Sequence, residues 1–565
     1  MAREITFERR RRLTHRALPA AGAVAVVAFF AGLAVGGSGE SETARVARDF
    51  SAAWVRGDYG AMHGMLTPQA RAALTRSQFG DSYRRAAETA TQRRIAIDAP
   101  ETDGERARLA VQVDTVVFGG VAGEVVLTVV ESGVDWRPHL VFPGLRPGEA
   151  LDRRTEAPER ASLLAADGQT IAEGPADGRV QPLSSTAPIA GSLAPSDDAA
   201  VREALYTRGF PEDTPVGSNG LERVFDSQLA GRPGGELLAG ARVLARSSPR
   251  QAQPVETTIV PSVQEAADIA LAGRLGGVAA MDPASGEILA LAGIAFSAPQ
   301  PPGSTFKIVT LAAALEDGKA KPSDEYPVES AATIDGVELE NANGEFCGGT
   351  LAEAFAHSCN SVFAPMGVEV GAERLVEEAE QFGWNADPGI LGAAESTIPP
   401  VSEITSPLEV GSTAIGQYKT LATTLEMATV AQTIANGGVR LPATLAPRAG
   451  RGGGVRAVSK RIARQITSMM VGVTEYGTGT LAAVEGVEVA GKTGTAELGD
   501  TRGDDPEAAA RQGDPSNTDA WFTAFAPAKD PRVVVSVMLV RNGSGGATAA
   551  PAAQGVLVAG LQRDS

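Results

Sequence analysis

The chain has 565 residues, of which 43% are hydrophobic, and its formal net charge is -18. This length allows roughly three or four domains of about 150 residues, and the hydrophobic share excludes wholesale disorder. The acidic excess argues against nucleic acid as the main partner. Two cysteines and four scattered histidines form no metal-ligand pattern, so we expect neither a metal nor another cofactor.

Arginines dominate residues 1–16, and an uncharged segment follows from Ala17 to Gly39. The apolar part, 17–37, is long enough to cross a bilayer, for which about 20 residues suffice. Arginines on its amino-terminal side predict a cytoplasmic tail at 1–16 and export of the rest. We therefore expect a single-pass protein of the cell membrane. A cleaved signal peptide is the alternative, because small residues lie near 35–38.

Residues 40–145 change from a helical to a strand pattern. Val46, Phe50 and Trp54 recur at four-residue spacing, which predicts an amphipathic helix. The apolar runs at 109–113 and 125–130 predict strands on either side of a turn. Helices followed by an antiparallel sheet make a small α+β domain. A spacer role is favoured over ligand binding, because no polar cluster stands out.

Two further regions follow a linker rich in proline and glycine. In 155–250, Ser162-Leu163-Leu164 ahead of Asp167-Gly168 predicts a β-hairpin. In 253–565, strand patterns lie near both ends and helical patterns between them. This arrangement predicts a single sheet assembled from distant segments of the chain.

Ser304 and Lys307 are three residues apart, so a helix would place them on one face. A serine hydroxyl is a weak nucleophile until a base removes its proton, and a lysine amine can do this. Backbone N–H groups at the start of a helix can also stabilise an oxyanion. The pair therefore predicts acyl transfer through a covalent intermediate.

Two more motifs follow this pair along the chain, Ser358-Cys359-Asn360 and then Lys492-Thr493-Gly494-Thr495. Three motifs in this order resemble those of the penicillin-binding protein and serine β-lactamase superfamily. Four other segments are similar to the transpeptidase domain of class B (monofunctional) members: Ala414-Ile415-Gly416-Gln417, Ile434-Ala435-Asn436-Gly437-Gly438, Ala490-Gly491-Lys492-Thr493-Gly494-Thr495-Ala496-Glu497 and Ala520-Trp521-Phe522.

The resemblance also implies a domain order. Residues 253–565 resemble the transpeptidase domain, and 155–250 resemble the pedestal or dimerisation domain, best at 217–222 and at Gly231-Arg232-Pro233-Gly234. Residues 40–145 resemble a nuclear-transport-factor-like domain. The expected fold is multidomain: an N-terminal single-pass helix, a small α+β cone-like domain, a mixed β-rich pedestal, and an α/β transpeptidase domain with an antiparallel sheet flanked by helices.

The same resemblance implies roles for the motif residues. Ser304 would attack the D-Ala-D-Ala carbonyl of a peptidoglycan stem peptide, with Lys307 as its base. Ser358 would relay a proton to the leaving group, and Asn360 would bind Lys307 and the substrate amide. Lys492, Thr493 and Thr495 would hold the terminal carboxylate, beside Gly494.

The leading function is a membrane-anchored D,D-transpeptidase, with its catalytic domain outside the cytoplasm, that β-lactams acylate. A β-lactam-hydrolysing or D,D-carboxypeptidase enzyme is one alternative, and a non-enzymatic sensor or scaffold is another. Cell-wall synthesis partners could bind the pedestal, although the segments at 160–162 and 165–168 depart from the family signature there.

Cys347 and Cys359 lie in the part of the chain expected to be exported. That compartment permits a disulfide between them, which would close a loop beside the Ser358 motif. Two buried thiols are the alternative.

Overall fold

A computed structural model describes residues 41–448, 453–499, 510–511 and 513–563. The predicted cytoplasmic tail at 1–16 and transmembrane anchor at 17–37 lie outside these residues. Among the described residues, no helix combines the length and the apolar character needed to span a bilayer. The chain divides into two compact units. One contains the chain up to 156 with 206–209 and 234–248, and the other contains 157–205, 210–233 and the chain from 249 onward.

The α-helices are α1 (Glu42–Val55), α2 (Tyr59–Gly64), α3 (Pro68–Ala73), α4 (Arg76–Thr89), α5 (Ala187–Ala190), α6 (Ala199–Arg208), α7 (Gly220–Val224), α8 (Asp226–Leu229), α9 (Pro261–Leu271), α10 (Lys307–Glu316), α11 (Leu351–Ala356), α12 (Asn360–Val370), α13 (Ala372–Phe382), α14 (Pro407–Ala414), α15 (Thr424–Ala435), α16 (Lys460–Glu475) and α17 (Ala550–Gln562).

The strands are β1 (Gln92–Ile97), β2 (Glu101–Asp103), β3 (Arg106–Thr115), β4 (Gly120–Val130), β5 (Gly133–Val134), β6 (Leu151–Glu156), β7 (Leu163–Leu164), β8 (Thr170–Ala172), β9 (Leu193–Ala194), β10 (Val216–Gly217), β11 (Gly234–Ala239), β12 (Arg242–Ser247), β13 (Val255–Glu256), β14 (Gly276–Met281), β15 (Ile288–Gly293), β16 (Glu325–Glu329), β17 (Ala331–Ile334), β18 (Val337–Glu340), β19 (Cys347–Thr350), β20 (Val439–Arg440), β21 (Val455–Arg456), β22 (Ala490–Glu497), β23 (Thr518–Ala526) and β24 (Val533–Leu539).

The first unit packs helices against an antiparallel sheet of order β1-β3-β4-β5, with β2 beside β3. Every second residue of β3 is buried, because side chains alternate between the two faces of a strand. Val46, Phe50 and Trp54 of α1 are buried in the same core. The sequence predictions of α1, β3 and β4 are confirmed. A second sheet, of order β12-β11-β6, also belongs to this unit.

The second unit is built around an antiparallel sheet of order β15-β14-β24-β23-β22, which joins strands from distant parts of the chain as predicted. Both faces of the sheet are covered. On β14, Ala279 and Met281 join a core that includes α10, α12 and α15. The alternate residues Val278 and Ala280 join a second core with α9 and α17. The prediction of an antiparallel sheet flanked by helices is confirmed.

Residues 157–205 and 210–233 add a smaller part of the second unit, where β7 and β8 pair as the predicted hairpin. A buried ion-pair network stabilises this part. The Glu222 carboxylate is fully buried and accepts hydrogen bonds from Arg160 Nε at 2.6 Å and Arg179 Nε at 2.7 Å. Arg160 also contacts Asp226 Oδ1 at 2.9 Å. This network holds together segments that lie far apart in the chain.

Candidate active site

Ser304 lies in a single 3-10 turn, Gly303–Phe306, and Lys307 begins α10 directly after it. Gly303 has φ 52°, and a Cβ atom there would lie 2.9 Å from the Thr495 carbonyl oxygen. A residue with a side chain would therefore be strained and would collide with β22. The Gly303 N–H donates to the Gly416 carbonyl at 2.9 Å. These contacts set the nucleophile turn against the edge strand β22.

Lys307 is fully buried, and its amine is held by three acceptors. Nζ donates to the Ser358 carbonyl oxygen and to Asn360 Oδ1, both at 2.7 Å, and lies 3.3 Å from Ser358 Oγ. Burial, and then the charge of Lys492, lower the pKa of Lys307 well below its ordinary value. A lower pKa favours the neutral amine, which can accept a proton as a general base must.

Ser358 joins the two lysines of the site. Its Oγ lies 2.8 Å from Lys492 Nζ as well as 3.3 Å from Lys307 Nζ. The backbone of Ser358 has φ 61°, which is uncommon for a residue other than glycine. Asn360 is fixed in turn, because its Nδ2 donates to the Glu340 carbonyl at 2.6 Å. The Ser358 hydroxyl therefore lies within hydrogen-bonding distance of both amines.

Lys492 is also fully buried, on β22. Burial lowers its pKa to about 7. Its Nζ donates to the Thr493 carbonyl oxygen at 3.1 Å, and the ring of Phe355 lies 5.4 Å away. An amine with this pKa can change its charge near neutral pH, and an arriving anion would favour the charged form.

The other residues of this motif line the same strand. Thr493 Oγ1 forms a 2.5 Å hydrogen bond with Thr478 Oγ1, and Thr495 Oγ1 accepts the Gly545 N–H at 3.3 Å. A Cβ atom at Gly494 would lie 2.8 Å from the Pro302 carbonyl oxygen, so the close approach requires glycine. β22 is therefore packed tightly against the turn that carries the nucleophile.

Cys347 and Cys359 are joined by a disulfide, with their Cα atoms 5.7 Å apart. Cys359 stands between Ser358 and Asn360 in the chain, so the bond links their segment to β19. The structure thus brings the residues of all three motifs to one site, with the two cysteines beside the second motif.

Three contacts escaped the sequence analysis: those of Thr478, of the Glu340 carbonyl group and of the Gly416 carbonyl group, although Gly416 itself lies in a segment that resembles the family. Two act through backbone atoms, which carry no residue signal. Thr478 reaches Thr493 only because the segment after α16 returns to β22. No local pattern could have identified any of the three.

In the described residues, no group of three or more histidine, cysteine, aspartate or glutamate side chains could hold a metal ion. What the site provides is a serine hydroxyl, two buried amines and a bridging hydroxyl. This set is suited to acyl transfer with proton relay.

The Penicillin binding protein transpeptidase domain matches residues 276–557. Peptidoglycan D,D-transpeptidase PbpA of Mycolicibacterium smegmatis is 34% identical over 420 residues, which cover 62% of this chain and 80% of that protein. The crystal structure of PBPA from Mycobacterium tuberculosis has 30% sequence identity and a TM-score of 0.57, over 72% of this chain and 99% of that chain. The penicillin G acyl-enzyme complex of penicillin-binding protein A from that organism has the same identity and TM-score, over 72% of this chain and 100% of that chain. The chain therefore belongs to the penicillin-binding protein transpeptidase family, as a class B D,D-transpeptidase.

Proposed function

We propose that this protein cross-links peptidoglycan stem peptides through an acyl-enzyme on Ser304, and that β-lactams acylate the same serine. The observation that carries the proposal is the pair of buried amines, Lys307 and Lys492, on either side of the Ser358 hydroxyl. Relatives bear the name peptidoglycan D,D-transpeptidase, and a similar structure is a penicillin G acyl-enzyme.

Acylation begins when neutral Lys307 removes the proton of Ser304. The serine oxygen bonds to the carbonyl carbon of the D-Ala-D-Ala bond, and the carbonyl oxygen becomes an oxyanion. Backbone N–H groups of Ser304 and Thr495 stabilise this oxyanion, with each such donor worth about 3 kcal/mol. The carbon–nitrogen bond then breaks, and the leaving D-alanine takes a proton that passes through Ser358.

Lys492 supplies recognition of the terminal carboxylate, together with the hydroxyls of Thr493 and Thr495. The carboxylate favours the charged amine, so binding raises the pKa of Lys492 from its value of about 7. Positive charge on Lys492 keeps Lys307 neutral in turn, because two cations so close repel each other. Substrate binding thereby keeps Lys307 in the neutral form, which can accept the proton of Ser304.

The acyl-enzyme is resolved by the amine of a second stem peptide. Lys307 accepts the proton of that amine as the new amide bond forms. The bond between the carbonyl carbon and Ser304 Oγ then breaks, and Lys307 returns the proton to Ser304 Oγ, which restores the free hydroxyl and the neutral amine. Asn360 positions Lys307 and binds the substrate amide throughout.

The proposal includes the arrangement of the rest of the chain. Residues 17–37 anchor the protein in the cell membrane, with 1–16 in the cytoplasm and the rest outside. Residues 40–145 form a nuclear-transport-factor-like domain, 155–250 form the pedestal, which binds cell-wall synthesis partners, and 253–565 form the transpeptidase domain. The Cys347–Cys359 disulfide stabilises the active-site segment.

Labelling of the full chain with fluorescent penicillin tests the central step. Ser304→Ala should abolish covalent labelling, because it removes the attacking oxygen. The exposed Ser297, in the loop ahead of the nucleophile turn, offers a matched control, and Ser297→Ala should label like the wild type. Persistent labelling of Ser304→Ala would contradict the proposal. Release of the label within minutes would favour a hydrolase.

A further inference from the structure

A second polar site is formed by residues that take no part in the Ser304 chemistry. It is a cleft of about 360 Å³ in the second unit. The lining residues carry cationic, amide or hydroxyl side chains, or are small: Ser227, Gln228, Gly231, Arg232, Arg250, Gln251 and Ala252. The cleft includes part of the Gly231-Arg232-Pro233-Gly234 motif, for which the proposed mechanism has no use.

Arg232 and Arg250 face each other across a short antiparallel pair. The Arg232 N–H donates to the Arg250 carbonyl at 2.8 Å, and the Arg250 N–H donates to the Arg232 carbonyl at 2.9 Å. Residues that exchange both hydrogen bonds lie directly opposite, with their side chains on the same face. Gly231 has φ 67°, and a Cβ atom there would lie 2.6 Å from the Arg250 carbonyl oxygen. This backbone pairing therefore depends on glycine at 231.

Two like charges directly opposite on an antiparallel pair are destabilising. Arg160 and Arg179, also in this unit, share the Glu222 carboxylate. No carboxylate of the described residues pairs with Arg232 or Arg250, and no acidic residue lines the cleft. The protein as a whole has a net charge of -18. A cleft lined by two arginines and by no acidic residue of the described chain therefore differs in charge from the rest of the protein.

We propose that the cleft binds a phosphate group, with Arg232 and Arg250 as its main ligands. A guanidinium presents N–H groups in a planar fork that matches carboxylate and phosphate oxygens. Two forks, with the Gln228 amide and the Ser227 hydroxyl, offer more donors than the two oxygens of one carboxylate need. The Gln251 amide contributes less, because its Nε2 already donates to the Arg160 carbonyl at 3.3 Å. Soluble phosphates and the headgroups of phospholipids both present this chemical group.

Calorimetric titration of the full chain in nonionic detergent, with inorganic pyrophosphate as the probe, tests the assignment. The Arg232→Gln/Arg250→Gln double variant should bind at least about tenfold more weakly, because it loses both charged ligands. The control Arg461→Gln/Arg464→Gln makes the same charge change on the exposed face of α16 and should bind like the wild type. Equal binding by both double variants would overturn the proposal, as would tighter binding of citrate than of pyrophosphate.

A thermal melt separates a binding role from a structural one. Without ligand, Arg250→Gln should melt at or above the wild-type temperature, because repulsion is relieved. With pyrophosphate it should lose the ligand-induced stabilisation. A lower melting temperature without ligand, together with wild-type stabilisation by pyrophosphate, would overturn the proposal.

Micelles doped with phosphatidylglycerol or phosphatidylcholine distinguish the two sources of phosphate. Selective stabilisation by phosphatidylglycerol, lost in the double variant, identifies a lipid headgroup. Stabilisation by pyrophosphate alone identifies a soluble phosphate. If neither phosphatidylglycerol nor pyrophosphate stabilises the wild type, the proposal is overturned.

Discussion

Two sets of buried cations in the second unit have opposite surroundings. In the small part at 157–205 and 210–233, Arg160 and Arg179 both pair with the carboxylate of Glu222. At the active site, Lys307 and Lys492 share a hydroxyl and bind carbonyl and amide oxygens. No carboxylate of the described residues forms an ion pair with either lysine. Both sets are buried, but only the first is neutralised by an acid.

The difference separates stability from chemistry. Removing one member of a buried ion pair leaves the other charge buried and uncompensated. Such a substitution therefore destabilises the folded protein. A buried amine without an acid instead loses its proton more easily, which lowers its pKa. Burial without an acidic partner therefore favours the neutral form of both lysines.

Among the variants that keep the Ser304 nucleophile, Lys307→Ala should have the largest effect on activity. Loss of the base should slow acylation by fluorescent penicillin by about a thousandfold, the scale of general-base catalysis. The melting temperature should fall less than in a Glu222 variant, because the buried amine has no carboxylate partner to leave unpaired. Lys319→Ala removes an exposed lysine just after α10 and should change neither quantity. A fast-labelling Lys307→Ala protein would show that another group is the base.

Glu222→Gln should show the reverse pattern. Two buried arginines lose their shared charge, and breaking a buried pair costs about 3 kcal/mol or more. Calorimetry should show a clearly lower melting temperature, while acylation of the protein that remains folded keeps its rate. Glu236→Gln, which removes a partner from an ion pair with exposed Arg246, is the matched control and should melt close to wild type. A melting temperature equal to that control would refute the stabilising role of the network.

The same contrast explains what could be predicted from sequence. Ser304, Lys307, Asn360 and Lys492 were identifiable because their motifs combine fixed residues at fixed spacing and in a fixed order. α1 and β3 were identifiable from periodicity, since one side of each must be buried.

The arginine network could not be predicted in that way. Glu222 lies 62 residues from Arg160 and 43 from Arg179, and only the fold brings them together. The pKa of Lys492 also depends on burial by distant segments, for which a sequence has no local signal. Motifs therefore predict which side chains meet at the site, whereas tertiary packing determines their protonation.

No ion pair within the described part of the chain fixes the lysines that contact Ser358, so the disulfide is the next candidate for holding the Ser358 segment in place. Replacing Cys347 and Cys359 together by serine should cost about 3 kcal/mol, from the chain entropy of the opened loop. We also expect slower acylation, because Cys359 lies between Ser358 and Asn360. The chain has only two cysteines, so a dithiol should destabilise the wild type and leave the double variant unchanged. Wild-type melting of the double variant would show that the hydrogen bonds of the lysines suffice.

Glu426, on α15, provides a third case: a buried carboxyl group without an ion pair. Its Oε1 has no hydrogen-bond partner among the described residues, and burial raises its pKa to about 8. The folded protein then keeps a proton that the unfolded chain releases above about pH 4.3, so stability falls as the pH rises toward 8. Glu426→Gln removes this dependence and should gain about 1 kcal/mol on the wild type between pH 5 and pH 6. Exposed Glu265→Gln is the control and should follow the wild type in calorimetric melts across this range. If Glu426→Gln also follows the wild type across this pH range, the Glu426 carboxyl group is already ionised in the folded protein. The fold would then tolerate a buried charge without an ion pair at this position.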